Sequence, residues 1–238
     1  MVTPRREPVA AMVAAENPQS RARVTRRALL VAAAAQFAAV GYHGTSLSEV
    51  IAASKVTKGA LYFHFASKQA LADAVVAEMV EHWKVLVAEV NARGLDPLWT
   101  LLAQTDEVIA RMIADPIARG GIQLLTDRGL VCAGAAEHYA YGEAAAVEQL
   151  TAAAAAGLLR PGLDPTRIAR LVVVMMTGAN LICDLTPDQL WEAVTDLWQG
   201  LLPAIATDSW LERWQATGWP RRAIPVVTEL PDPPRRGE

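Results

Sequence analysis

Helix-starting punctuation constrains this chain more than any other feature. Asp96-Pro97, Asp115-Pro116 and Asp164-Pro165 each set a carboxylate directly before a proline. The carboxylate can accept from the free N–H groups of a first helical turn, and proline, which has no N–H, fits the first helical position. Thr186-Pro187-Asp188-Gln189 adds a capping box to the same device. Between these starts, apolar residues recur at helical spacing, Ala is abundant and strand-like alternation is missing. The reading is an all-α fold. With 238 residues, 53% of them hydrophobic, the chain can bury a sizeable core in one or two domains.

The punctuation divides the chain into an N-terminal arm over 1–20, a helix-turn-helix domain over 21–66, a helical body over 67–216 and a Pro-rich flexible tail over 217–238. The first helix is expected from about Arg21 to Val40, with Leu30, Ala33, Ala34 and Phe37 on one face and Gly41 ending it. Ser46 with Glu49 forms a capping box for a short helix through Ala53. Thr57 caps another through about Phe63, after the tight turn Ser54 to Val56. Two short helices on a tight turn behind a longer one make a helix-turn-helix. A long helix follows from Ser67 to about Arg93, buried along Leu71, Val75, Met79, Trp83, Leu86 and Val90. Further helices begin at Asp96, Asp115, about Ala135, Asp164 and Thr186, and a short terminal helix bears Trp210 and Trp214.

The formal charge is −3. Residues 1–66 hold eight Lys/Arg against three Asp/Glu, a net +5, and the remainder is net −8. A basic head on an acidic body calls for an electrostatic partner at the head. Four arginines, Arg21, Arg23, Arg26 and Arg27, crowd the first turns of the first helix, where cations oppose the helix dipole. Cys132 and Cys183 can build neither a disulfide framework nor a four-ligand zinc site. No secretory leader is evident, and the uncharged apolar-leaning run Leu171 to Cys183 is too short for a membrane span. The expectation is a cytoplasmic protein with no membrane partner, no metal and no cofactor. Gly-x-Ser-x-Gly, Gly-x4-Gly-Lys and His-Glu-x-x-His motifs are missing, and the four histidines are scattered, so an enzyme is not expected.

The stretch Thr57-Lys58-Gly59-Ala60-Leu61-Tyr62-Phe63-His64-Phe65 carries chemistry suited to DNA. Helical spacing sets Lys58, Tyr62 and Phe65 on one side and turns Leu61 and Phe63 inward. Thr57, Tyr62 and His64 can donate to phosphates, Lys58 can reach a phosphate or a guanine edge, and Gly59 permits close approach to the groove. Residues 25–71 resemble the DNA-binding domain of the TetR family of one-component repressors. The resemblance rests on Leu30 to Gly41, on Thr45-Ser46-Leu47-Ser48-Glu49-Val50, and on Val56 through Lys68. It implies a three-helix DNA head whose third helix is the recognition helix, carried on a helical ligand-binding and dimerisation body. It also implies Arg26, Ser46, Thr57, Lys58, Gly59, Tyr62, His64 and Lys68 as contacts to double-stranded operator DNA. Val75 to Trp83, Gly94-Leu95-Asp96-Pro97-Leu98, and Asp115-Pro116-Ile117 with Gly120-Gly121 resemble the γ-butyrolactone receptor branch, which includes receptors for furan and butenolide signals. That branch places a Trp where this chain has about Tyr141. The alternative implied by the departure is a regulator answering an antibiotic or another apolar compound.

The resemblance implies a ligand chamber among the helices beginning at Ser67, Asp96, Pro116, Ala135 and Asp164. Its walls would include Trp83, Leu86, Trp99, Ile109, Ile122 and Leu125. Polar contacts to a small apolar signalling ligand would come from Gln123, Thr126, His138, Tyr141, Thr177 and Asn180. The helices at 165–184 and 187–206 are more apolar than one buried stripe requires, as expected if two subunits join there as a homodimer.

Overall fold

The computed structural model describes residues 18–225, apart from Arg128, Val131 and residues 182–185. Of the expected N-terminal arm, residues 1–17 lie outside the described residues, and Pro18 to Ser20 already belong to the first helix. The fold is all-α. In chain order the helices are α1 (Pro18–Gly44), α2 (Leu47–Ser54), α3 (Lys58–His64), α4 (Lys68–Asn91) and α5 (Pro97–Ala114), followed by α6 (Pro116–Thr126), α7 (Ala135–Ala155), α8 (Pro165–Leu181), α9 (Pro187–Ile205) and α10 (Asp208–Ala216). A 3-10 turn at Trp219–Arg221 follows.

The capping residues act as the sequence implies. Ser46, Thr57, Ser67, Asp96, Asp115 and Thr186 each accept a hydrogen bond from a first-turn N–H with their side chains. Gly41 does not end α1. It kinks it, at φ 69° and ψ 179°, and helical structure resumes to Gly44. A left-handed backbone costs glycine little, which is why the chain can bend there.

The head consists of α1 to α3. Leu29, Leu30, Ala33, Ala34 and Phe37 of α1 are fully buried, and Val50, Leu61 and Phe65 close over them. By length and composition the stretch Gln19–Gly44 could cross a bilayer, with mean hydropathy 1.2. Here its apolar face is part of the protein core.

The body is attached to the head chiefly through α6. Gly120 lets the α6 backbone settle onto α1: a Cβ there would lie 2.4 Å from the Ala34 carbonyl oxygen. Gly121 does the same against α4, where a Cβ would meet Met79 Sδ at 2.5 Å. Asp115 caps α6 while facing His82 Nδ1 of α4 at 3.5 Å. His82 Nε2 lies 3.8 Å from Glu78, which in turn holds Arg27 of α1 at 3.1 Å.

The chain after α10 departs from the expected tail. Trp219 is buried, and Arg222 reaches back to form a bidentate pair with Asp106 of α5. Its guanidinium lies 3.3 Å from the centre of the Trp219 ring and 4.2 Å from that of Trp191. Aromatic stacking and a paired charge outweigh the chain entropy that a Pro-rich segment would otherwise keep. Residues 226–238 of that tail lie outside the described residues.

Gly120→Ala will destabilise the fold by about 1–3 kcal/mol, because overpacking against a backbone exceeds the ~1 kcal/mol an alanine gains inside a helix. Gly142→Ala, with open space around its Cβ, will instead be neutral or stabilising. Urea unfolding of both variants reads the difference.

Candidate nucleic-acid interface and ligand cavity

The turn between α2 and α3 is made by Lys55 in a left-handed conformation (φ 55°), followed by the Thr57 cap. This presents α3 at the surface with Thr57, Lys58, Gly59 and Tyr62 exposed and His64 half-buried. Space around Gly59 is open. The aromatic pair differs from the sequence expectation. Phe65 is 4% exposed and packs in the core, whereas Phe63 is 81% exposed. The reason is that α3 ends at His64: Phe65 leaves helical geometry as the C-cap and turns under the head. Phe63 therefore joins the outer face, and helical counting through residue 65 could not find it.

Other expected DNA contacts are differently employed. Lys68 Nζ donates to the main-chain carbonyls of Tyr42 at 2.8 Å and Thr45 at 2.9 Å, over the Tyr42 ring at 4.4 Å. Its cation meets the negative end of α1, a position the helix dipole favours. Ser46 donates to Glu49 at 2.8 Å within its capping box. Arg26 stays exposed, with its guanidinium 5.4 Å from the Phe65 ring centre and 4.0 Å from Glu78.

In the body, α4, α5, α6, α7 and α8 surround a cavity of about 160 Å³. Of the expected ligand residues, Trp83, Ile109, Ile122, Leu125, Thr126, His138, Tyr141 and Thr177 line it. Leu86 is buried and Gln123 exposed, both outside the lining. Trp99 packs instead on Trp210, ring centres 5.6 Å apart, because α10 covers that side of α5. The Asn180 side chain lies outside the described residues. Sequence reasoning missed the α5 wall of Leu101, Gln104, Thr105, Val108 and Met112, together with Val172 and Met176 of α8. The apolar periodicity of α5 could have marked it.

Three polar side chains of the lining are engaged within the protein. Thr105 Oγ1 donates to Leu101 O at 3.0 Å, Thr126 Oγ1 to Ile122 O at 3.2 Å, and Gln104 Nε2 to Asn91 Oδ1 at 2.8 Å. His138 differs from these: its Nδ1 is buried without a partner among the described residues. Burial also pushes the His138 pKa down to about 4. A neutral imidazole with one unpartnered nitrogen is a ready hydrogen-bonding point in an otherwise greasy chamber.

A helix-turn-helix head on a helical body with an internal cavity defines the class of protein. The model for bacterial regulatory proteins of the tetR family matches residues 29–75. The A-factor receptor protein of Streptomyces griseus is 32% identical over 192 residues, 79% of this chain and 66% of that protein. The chain thus spans just under two thirds of that receptor's length, and less of the other curated relatives it matches. A crystal structure of TylP, a TetR regulator from Streptomyces fradiae, is 33% identical with TM-score 0.61, covering 79% of this chain and 90% of that one. A crystal structure of a γ-butyrolactone receptor, an ArpA-like protein, is 27% identical with TM-score 0.71, covering 79% and 92%. The chain belongs to the TetR family.

The His138 pKa makes a stability prediction. As pH falls below the usual 6.5, the unfolded chain takes up a proton that the folded chain refuses until about pH 4. Stability contributed by neutral His138, on the order of 3 kcal/mol, is therefore present above pH 6.5 and lost progressively toward pH 4. Denaturation midpoints of wild type and His138→Leu across that range will show the acid-side slope shrinking in the variant.

Proposed function

We propose that this chain is a transcriptional repressor that binds pseudo-palindromic operator DNA as a homodimer and is released by a small signalling molecule of the γ-butyrolactone, furan or butenolide type, thereby controlling secondary metabolism. The observation that carries the reading is the placement of α6. Ile122, Leu125 and Thr126 of this helix line the cavity, while its Gly120 is seated on the backbone of α1 in the head. One rigid element thus touches both the chamber and the DNA-reading domain. A ligand that prefers a displaced α6 disfavours the head arrangement that fits DNA, by as much as its own preference between the two states. Similarity to the A-factor receptor and to the γ-butyrolactone receptor supports the ligand class.

In this reading α3 enters the major groove with Lys58 and Tyr62 toward the bases and phosphates, and Thr57 and His64 at the backbone. The exposed Phe63 stands on the same face. Leu171 and Val174 of α8, 54% and 62% exposed, offer the apolar surface for a second copy. Val194 and Trp198 of α9 are buried within the chain itself. Two heads one helical turn apart are what a palindromic site requires. The partners are operator DNA and the signal ligand, and the setting is the cytoplasm.

A second reading, an antibiotic or another apolar compound as the signal, draws on two features. The cavity, at about 160 Å³, is smaller than the ~300–1,000 Å³ common for ligand pockets, and Tyr141 adds a hydroxyl where the butyrolactone branch has Trp. A larger signal must therefore spread the helices to enter.

Lys58→Ala and Tyr62→Ala will each weaken operator binding by about 1–3 kcal/mol with unchanged thermal unfolding, as read by fluorescence anisotropy on an operator duplex. Tyr141→Ala will leave operator affinity intact and change release by a synthetic butyrolactone. Titration of the protein–operator complex with butyrolactones, furans, butenolides and unrelated apolar drugs decides between the two readings. Wild-type DNA affinity in both head variants overturns the recognition-helix assignment.

A further inference from the structure

The kink in α1 leaves a main-chain donor outside the regular helical ladder, and the body supplies its acceptor. Asp127 Oδ2 accepts the Tyr42 N–H at 2.8 Å, across 85 residues of sequence. The carboxylate lies over Gly41, where a Cβ would come within 3.3 Å of the same oxygen. Asp127 is the C-cap of α6, immediately after Leu125 and Thr126 of the cavity wall. Tyr42 begins the short segment leading to α2. Its carbonyl receives the Thr45 N–H at 3.3 Å and Lys68 Nζ at 2.8 Å, and its ring stacks on Phe37 at 6.1 Å. Thr45 Oγ1 returns a hydrogen bond to the Gly41 carbonyl at 2.8 Å. The next residue, Ser46, caps α2.

The far end of the same loop is also tied toward the head. Asp73 Oδ1, in the second turn of α4, accepts the Ala133 N–H at 3.0 Å just before α7, which carries His138 and Tyr141. The connection between two cavity-lining helices is therefore held by one carboxylate bond at each end, and the Asp127 bond lands on the α1 kink.

We propose that Asp127 is the latch through which occupancy of the cavity is felt by the DNA-reading head. While its carboxylate holds the Tyr42 N–H, the kink, the Thr45 turn and the start of α2 keep one arrangement. A guest that displaces Leu125 and Thr126 draws Asp127 off that N–H and frees the segment that aims α2 and α3. Asp127 is a positioning residue: it touches neither DNA nor ligand. The inference rests on the proposed role of the cavity as the signal site and adds the bond that transmits the signal.

The test needs no knowledge of the signal. Ala145→Phe on α7 drives a phenyl ring into the cavity from a fixed point on its wall, so the ring cannot choose its position as a free guest does and the facing walls must shift to admit it. Amide hydrogen exchange at Tyr42 is measured in wild type, Ala145→Phe, Asp127→Ala and Asp127→Asn, with the Leu29 and Leu30 amides as internal references for global unfolding. Exchange at Tyr42 is expected to rise about tenfold or more in Asp127→Ala and in Ala145→Phe, with the references unmoved. Asp127→Asn is expected to restore protection, because its amide oxygen still accepts the N–H. Operator affinity is expected to fall about tenfold in Asp127→Ala and in Ala145→Phe, with no further fall when the two are combined. Unchanged Tyr42 exchange in Ala145→Phe, or fully additive losses in the double variant, overturns the latch. Absence of operator binding by the wild type overturns the proposed function instead, while the exchange measurements still decide the latch.

Discussion

The structure depends on how closely α6 approaches α1. Helices with ordinary side chains between them pack 8–10 Å apart and can slide by small rotamer changes. Gly120 removes the side chain, so the α6 backbone rests on the Ala34 backbone. Gly121 lies against the Met79 side chain of α4. A contact of backbone on backbone has no flexible part to absorb displacement. Movement of α6 must therefore move α1, or break the contact. The row of polar side chains from Asp115 past His82 and Glu78 to Arg27 lies along the same junction, toward the other end of α6.

The opposite side of the body is held in a different way. Asp106 is buried on α5, close in sequence to the cavity residues Gln104 and Thr105. Burial raises its pKa, against the opposing pull of Arg222. A buried carboxylate left alone would be costly, and Arg222 meets it with a planar bidentate fork set between Trp219 and Trp191. Trp99, Trp210, Trp214 and Trp219 continue the stack along α5 and α10. One wall of the cavity is thereby fixed to α9 and the C-terminal segment. Strain from a guest in the chamber meets a braced α5, so the walls on α6 and α7, joined by a loop, are the softer response.

Much of this was legible in the sequence, for a local reason. Proline at the first helical position and an Asp or Thr before it determine a helix start by chemistry confined to four residues, and the starts of α5, α6, α8 and α9 follow that punctuation, whereas α7 begins at Gly134 with no side-chain cap. The five cavity helices could be named from the resemblance to the TetR family, not from this punctuation. Individual side chains could not, because their direction depends on where a helix stops and on what comes from distant sequence. Phe63 and Phe65 exchange roles because α3 ends one residue before Phe65. Trp99 was lost to the cavity because α10, more than a hundred residues later, covers it. Lys68 reads as a phosphate contact from its place at a helix start, yet the carbonyls it serves belong to the end of α1.

The charge asymmetry between head and body also has an internal consequence. A basic head and an acidic body attract each other as well as external anions, and the structure shows where. Arg27 holds Glu78, Arg26 lies 4.0 Å from the same carboxylate, and the Tyr42 N–H holds Asp127. Each bond joins a head group to a body carboxylate. A cation so placed is partly withdrawn from phosphate, since a phosphate oxygen and Glu78 compete for the same donors. Lys58 is exposed on α3 at the far side of the head from these ties. The attraction for DNA and the attachment of head to body thus draw on one set of charges. Any change that shifts Glu78 therefore alters both the attachment of head to body and the charge that the head offers to phosphate.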